Sequence, residues 1–360
     1  MKRRTYLDWN ATAPLRPEAR DAMIGAMDLV GNPSSVHAEG RAAKSLIEKA
    51  RGQVAAAFGA EGADIVFTSG ATEAAAMALA GRGLRGADVE HDAVASWVTC
   101  DLPVDEDGLV TVLNPTESTV QAANSETGIL QDLPPGLAVT DATQIFGKLP
   151  FAFNWCGADM ALISAHKLGG PKGVGALVLR RGLELKSRIL GGGQEMGRRS
   201  GTENVIGISG LGAASEACAR DIEAGTWSRV EKLRNILEKA LAESVKETIF
   251  VGKGVGRLPN TSCFAVPGWK GETQVMQMDL AGFAISAGSA CSSGKVKSSR
   301  VLRAMGYDAD VAASAIRVSL GPETTEDDVL RFSEAWSAQY RKRETRACNK
   351  DERVGNGSFG

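Results

Sequence analysis

The stretch Asp64-Ile65-Val66-Phe67-Thr68-Ser69-Gly70-Ala71-Thr72-Glu73 decides the fold. Its first five residues read as a short apolar strand, and the small residues Ser69, Gly70 and Ala71 turn that strand directly into an alanine-rich helix. Strand, small-residue turn and helix together open an α/β unit. Such a turn leaves backbone N–H groups uncovered at the positive end of a helix dipole, which makes a cradle for a phosphate. A helix capped by Ser69 or Thr72 is the plainer reading of the same residues. No Gly-Lys-Ser/Thr follows, so the stretch is not a P-loop.

Working outward, helical periodicity covers 17–29 and 38–58, the second carrying Leu46, Ile47, Ala50, Val54 and Ala57 on one face. Short strands are expected at 137–140, Met160–Ser164 and Gly175–Leu179, the last two joined by the hairpin-like Gly169-Gly170-Pro171-Lys172-Gly173. A mostly parallel sheet flanked by helices is the simplest arrangement. After Gly201 come helical tracts at 206–223 and 227–244, strands at 249–251 and Thr261–Ala265, and helical segments at 272–280 and 326–340. These predict an N-terminal arm (1–16) packing with a small domain, a large domain (17–215), a smaller α+β domain (216–340), and a disordered tail (341–360) poor in apolar residues.

Composition sets the limits. The 360 residues are enough for one large or two medium domains, and 42 glycines without a three-residue period beside 43 % apolar residues describe a globular chain rich in tight turns. A net charge of -2 supplies no basic field for nucleic acid or an anionic membrane; no run of about 18 uncharged apolar residues appears, and the start, Met1 to Asp8, has charge but no apolar signal core. A cytoplasmic protein is expected. The six cysteines, Cys100, Cys156, Cys218, Cys263, Cys291 and Cys348, form no C-x-x-C pair, which argues against a disulfide framework or a zinc site. His37, His91 and His166 are the only histidines.

Three sites carry chemistry at strand ends. Asp141, in Asp141-Ala142-Thr143-Gln144, closes a short apolar strand where α/β sheets bind ligands, although a capping aspartate would look the same. Lys167, in Ser164-Ala165-His166-Lys167, follows a strand and precedes a glycine-rich turn, a setting suited to an amine nucleophile. With the cradle at Ala71 and Thr72, these residues supply what pyridoxal phosphate requires: a lysine for its aldehyde, an aspartate for its pyridinium nitrogen and a helix N-terminus for its phosphate. The fourth site, Ser286-Ala287-Gly288-Ser289-Ala290-Cys291-Ser292-Ser293-Gly294, surrounds one cysteine with residues too small to bury it, as on an accessible loop; an incidental cysteine in a turn is the alternative.

Taken together these residues resemble the cysteine desulfurases, the NifS/IscS-type branch of the class V aminotransferase-like enzymes that use pyridoxal 5'-phosphate. The resemblance runs from Tyr6 to Tyr340 through Asp8-Trp9-Asn10-Ala11-Thr12, Gly31-Asn32-Pro33-Ser34-Ser35-Val36-His37, the Ser69 turn and Glu90-His91. It continues through the Asp141 and Lys167 motifs, Arg199-Ser200-Gly201-Thr202, the Cys291 stretch and Ile316-Arg317-Val318-Ser319-Leu320-Gly321.

The resemblance implies a fold-type I transferase whose large domain, with its mostly parallel mixed sheet, binds pyridoxal phosphate, and whose smaller α+β domain carries the Cys291 loop. It implies that Lys167 holds the cofactor, Asp141 pairs with its ring nitrogen, Gln144 and Asn124 contact its ring hydroxyl side, and His91 stacks on the ring and moves protons. Ala71, Thr72, Ser164 and His166 would hold the phosphate, with Thr202 reaching in from a second subunit of a homodimer. Arg317 and Asn32 would bind the carboxylate of L-cysteine. Cys291 would take the sulfur as a persulfide, leaving L-alanine, for delivery to an acceptor or scaffold protein in iron–sulfur or other sulfur biosynthesis. Selenocysteine lysis, another C–S lysis, transamination, or a sulfur-trafficking protein without catalysis are the alternatives. The family's Asn-Asn-Glu-x-Gly is Asn124-Ser125-Glu126-Thr127-Gly128 in this chain, and segments before His91 and Thr140 are short.

Overall fold

The computed structural model describes residues 4–288 and 298–355, with side chains through residue 346. Chain order begins with β1 (Thr5–Tyr6), α1 (Pro17–Met27) and α2 (Ala38–Ala57), followed by β2 (Asp64–Thr68) and α3 (Ala71–Leu79). Next come β3 (Arg85–Gly86), α4 (Asp92–Ala95), β4 (Thr99–Cys100), β5 (Thr140–Asp141), β6 (Met160–Ser164) and β7 (Gly175–Leu179).

The sheet order β2-β7-β6-β5 starts antiparallel at β2/β7 and β7/β6 and becomes parallel at β6/β5. Parallel bridges Thr119↔Val139 and Arg85↔Ser118, then the parallel pair β3/β4, carry the same surface onward. The result is the mixed, mostly parallel sheet expected from the sequence. The expected strand at 137–140 is shorter than its apolar pattern. Leu137 and Val139 make single bridges to Ala158 and Thr119, and the ladder begins only at Thr140.

Every residue of β6 and β7 is buried, so both read as continuous apolar runs. One face packs Ile65, Phe67, Ile163 and Val178 against α2 and the long helix α5 (Val205–Glu223). The other packs Val66, Leu162 and Leu177 against α3. Carboxyl ends of β5 and β6 and the start of α3 therefore open on one side of the sheet, where parallel strands place ligands.

The rest of the chain is α6 (Thr226–Ser244), β8 (Ile249–Phe250), β9 (Thr261–Ala265), α7 (Gly271–Ala281), β10 (Phe283–Ala284), β11 (Ser286–Ala287), α8 (Arg300–Ala304), α9 (Ala309–Ser314), β12 (Ala315–Ser319) and α10 (Glu326–Gly355). A second sheet, β11-β12-β9-β8, is antiparallel throughout, and its own core joins Phe264, Ile316 and Val318 to Trp269, Phe332 and Trp336. The arm reaches this core: β1 pairs with β10, and Leu7 is buried in the cluster.

Residues 341–355 differ from the expected disorder. α10 continues through them, because Arg341, Lys342, Arg343, Glu344 and Arg346 are good helix formers even without an apolar face, and Arg343 donates to the Gly268 carbonyl at 3.0 Å. No helix among the described residues is long and apolar enough to cross a membrane.

Candidate active site

A cavity of about 550 Å³ lies over the carboxyl ends of β5 and β6 and the start of α3. Ala71, Thr72, His91, Asp141, Gln144, Ser164, His166 and Lys167 all line it. The strand-end positions explain why residues up to about a hundred apart in sequence meet. Lys167 sits just past β6, Asp141 ends β5, and Thr72 stands in the first turn of α3.

Lys167 Nζ donates to the carbonyls of Asn10 (2.7 Å) and Ala11 (3.0 Å), so the arm supplies part of its seat. Asp141 is nine-tenths buried and accepts from the Thr143 amide at 2.9 Å, while the neighbouring hydroxyl of Thr143 lines the cavity as a buried polar group without a partner. His91 caps α4: its Nδ1 accepts from the Ala93 amide at 3.1 Å, which puts the proton of the neutral ring on Nε2. His166 Nδ1 lies 3.2 Å from Thr12 Oγ1.

The phosphate cradle is built by close backbone approach. The Ser69 amide is bound by Glu73 at 2.8 Å, and Arg199 holds Glu73 through a 2.8 Å ion pair that, with the Ser69 contacts, keeps its carboxyl below the ordinary range despite burial. A Cβ on Gly175 would come within 2.7 Å of Gly70 Cα, so β7 passes beneath the cradle only as glycine.

The electrostatics favour an anion. Desolvation, then the charges of Lys167, Lys172 and Lys148, push His166 down to about 4, so positive charge gathers on this wall of the cavity. A phosphate ester fits that wall, and the unpartnered Thr143 hydroxyl beside Asp141 fits a polar ring.

Other expected site residues stand elsewhere. Asn124 is buried: it donates to the Val89 carbonyl, and its Oδ1 accepts from the Glu126 and Thr127 amides, shaping the turn so that Ser125, its neighbour, lines the cavity instead. Arg317, on β12, is buried and pairs with Asp8 at 2.8 Å while donating to the Ser125 carbonyl at 2.9 Å; its Nε is buried without a partner. Asn32 is exposed and accepts from the Ser34 amide in a local turn, and Thr202 is exposed outside this chain's cavity. Cys291 lies outside the described residues, though both ends of its segment are fixed: Gly288 donates to the Ala315 carbonyl, and Ser299 donates to Glu126 at 2.5 Å. His37 caps α2 and pairs with Glu39.

Three buried titratable groups escape the sequence. Burial lifts Glu90 to about 8, with Asp141 adding to the effect, and lifts Glu126 to about 7; burial and then the charges of Lys167 and Arg317 lower Lys148 to about 7. Only the position of Lys148 directly after Ile145-Phe146-Gly147 hinted at burial.

Comparison with known proteins follows the same lines. The aminotransferase class-V family matches residues 5–96 and 104–332. A cysteine desulfurase of Cereibacter sphaeroides is 40 % identical, covering 92 % of this chain and 94 % of its own length. The cysteine desulfurase IscS of Dictyoglomus turgidum is 35 % identical over 91 % of this chain and 92 % of its own. The solved structure of a NifS-like protein from Rickettsia africae superposes with a TM-score of 0.84 at 32 % identity, covering 94 % of this chain and 99 % of that one.

Proposed function

The chain belongs to the aminotransferase class-V family and, within it, to the cysteine desulfurases, and we propose that it converts L-cysteine to L-alanine and takes the sulfur onto Cys291. The observation that carries the reading is the convergence of Lys167, Asp141 and the start of α3 on one cation-lined cavity.

Pyridoxal phosphate, bound in that cavity, would supply an electron sink for negative charge at the substrate Cα. Lys167 would hold it, Asp141 would keep its ring nitrogen protonated, and Thr72, Ser164 and His166 would hold its phosphate beside the α3 N-terminus. Lys167 Nζ then takes the Cα proton, and its two carbonyl partners hold the amine in place for that transfer. Arg317, with a spare buried N–H, binds the substrate carboxylate. The Cys291 thiolate attacks the substrate sulfur; the Cβ–S bond breaks with its electron pair left on Cβ, Cβ takes up the proton the substrate thiol gives up, Lys167 returns a proton to Cα, and alanine leaves with the sulfur on Cys291 as a persulfide. The sulfur on Cys291 is then passed to an acceptor protein. A homodimer, with Thr202 serving the partner's cavity, completes the proposal; its support is the exposure of Thr202 on this chain.

The test is the visible absorbance of the purified protein with pyridoxal phosphate, followed by alanine and sulfide on adding cysteine and a thiol reductant. Lys167→Ala should lose the cofactor absorbance. Cys291→Ala should keep it and lose both products. Full alanine release from Cys291→Ala would overturn the sulfur assignment.

A further inference from the structure

Gln144 lines the cavity, yet the amide is not free to choose which atom it offers. Its Oε1 accepts from Lys148 Nζ at 2.7 Å, and its Nε2 donates to the Asn10 carbonyl at 3.0 Å. A carbonyl can only accept, so the Gln144 atom facing the Asn10 carbonyl is the nitrogen, and Oε1 is the atom left to accept from Lys148. The second N–H of Nε2 is what remains for the cavity.

Lys148 is placed for this purpose and for little else visible. It is 3 % exposed, it sits four residues after Gln144, and both of its hydrogen bonds go to Gln144, to Oε1 and to the backbone carbonyl at 3.0 Å. Among the described residues no carboxylate pairs with it, and a buried amine without one is costly to keep. The Asn10 carbonyl also accepts from Lys167 Nζ at 2.7 Å, so Lys148, Gln144, Asn10 and Lys167 form one chain of hydrogen bonds. Asn10 is itself immobilised, fully buried and bound to Ser319, Thr261 and Asn260.

We propose that Lys148 is a positioning residue of this site: it locks the Gln144 amide so that only an N–H faces the ligand, and the site thereby selects a ligand bearing an anionic oxygen at that point. The proposal rests on the cofactor reading above, since the ring oxygen of pyridoxal phosphate is the oxygen meant. Burial lowers the basicity of Lys148, the cost of holding this amine against Gln144 with no carboxylate beside it among the described residues.

The experiment is a double-mutant comparison of wild type, Lys148→Met, Gln144→Ala and the double variant, each titrated with pyridoxal phosphate. The readouts are the cofactor dissociation constant and the pH midpoint of the bound cofactor's visible absorbance. Losing the locked donor disfavours the anionic ligand oxygen, so Lys148→Met should raise the midpoint by about one pH unit and weaken binding about tenfold. Because Lys148 acts through Gln144, the double variant should shift no further than Gln144→Ala alone. A wild-type midpoint in Lys148→Met, or shifts that add in the double variant, would overturn the proposal. If Lys148→Met does not fold, Lys148→Leu also removes the donor and is read the same way. Failure of the wild-type protein to take up pyridoxal phosphate would overturn the cofactor reading itself and this proposal with it, a result separable from failure of the variants alone.

Discussion

Glu90 shows how much of this site rests on residues behind the cavity wall. Its carboxyl is buried between the Gln121 amide, which it accepts from at 2.9 Å, and the neighbouring charge of Asp141, and one of its oxygens has no partner. With a folded pKa of about 8 against an ordinary 4.5, the folded state holds a proton that the unfolded chain has lost between those values. Stability from this group is therefore full below about pH 4.5 and is lost as pH rises toward 8. Glu90→Gln should remove that slope: the variant should gain on wild type by ~3 kcal/mol between pH 5 and pH 8 in urea unfolding. A constant difference across that range would show that Glu90 ionises freely. His166 titrates with the opposite sign, because a depressed histidine costs stability only as pH falls from 6.5 toward 4. Inorganic phosphate in the cavity should raise its midpoint by about one unit, measured by ring NMR with His166→Gln to assign the signal among three histidines. No movement with saturating phosphate would place the anion site elsewhere.

At the scale of elements, the decisive contact is β7 beneath the α3 cradle. Gly175→Ala would place a methyl 2.5 Å from the Ile163 carbonyl and 2.7 Å from Gly70 Cα, both backbone atoms in the sheet and turn that cannot swing aside. The variant should lose about 2 kcal/mol of stability and bind phosphate ligands more weakly, seen as a lower urea midpoint and a higher dissociation constant. Unchanged binding would mean that the cradle tolerates movement of Gly70. These elements were legible because β6 and β7 are buried throughout and β2 carries the apolar core Ile65-Val66-Phe67, while Ser69-Gly70 marks the turn. β12 was not: Arg317 interrupts its apolar run, and it is buried only because Asp8, 309 residues away, neutralises it. Lys148 and Glu90 were hidden for the same reason, since a charged side chain reads as solvated until tertiary packing removes its water. Asn124 shows the converse, a polar residue that reads as a ligand contact but is spent on its own turn.

At the scale of the molecule, two expected ligand contacts, Asn32 and Thr202, stand exposed outside the cavity of their own chain. Close to Asn32 the surface is also unusually apolar: Ile24 and Met27 on α1 are 54 % and 57 % exposed, and Val30 and Val36 in the following turn are 84 % and 87 % exposed. Scattered apolar residues on a monomer surface need no explanation, but four within thirteen positions form a patch that water disfavours. Covering it with a second copy would bury the patch in a two-fold contact and bring exposed residues of one chain toward the cavity of the other. The protein should therefore sediment as a dimer at micromolar concentration. Ile24→Glu with Met27→Glu puts like charges where two copies would meet, and should shift the protein to monomer. If the partner's Thr202 region completes the cofactor site, the monomeric variant should also bind pyridoxal phosphate at least about tenfold more weakly while its far-ultraviolet circular dichroism stays unchanged. A monomeric wild type that binds the cofactor tightly would show instead that each chain holds a complete site, and a variant that remains dimeric would move the interface away from α1.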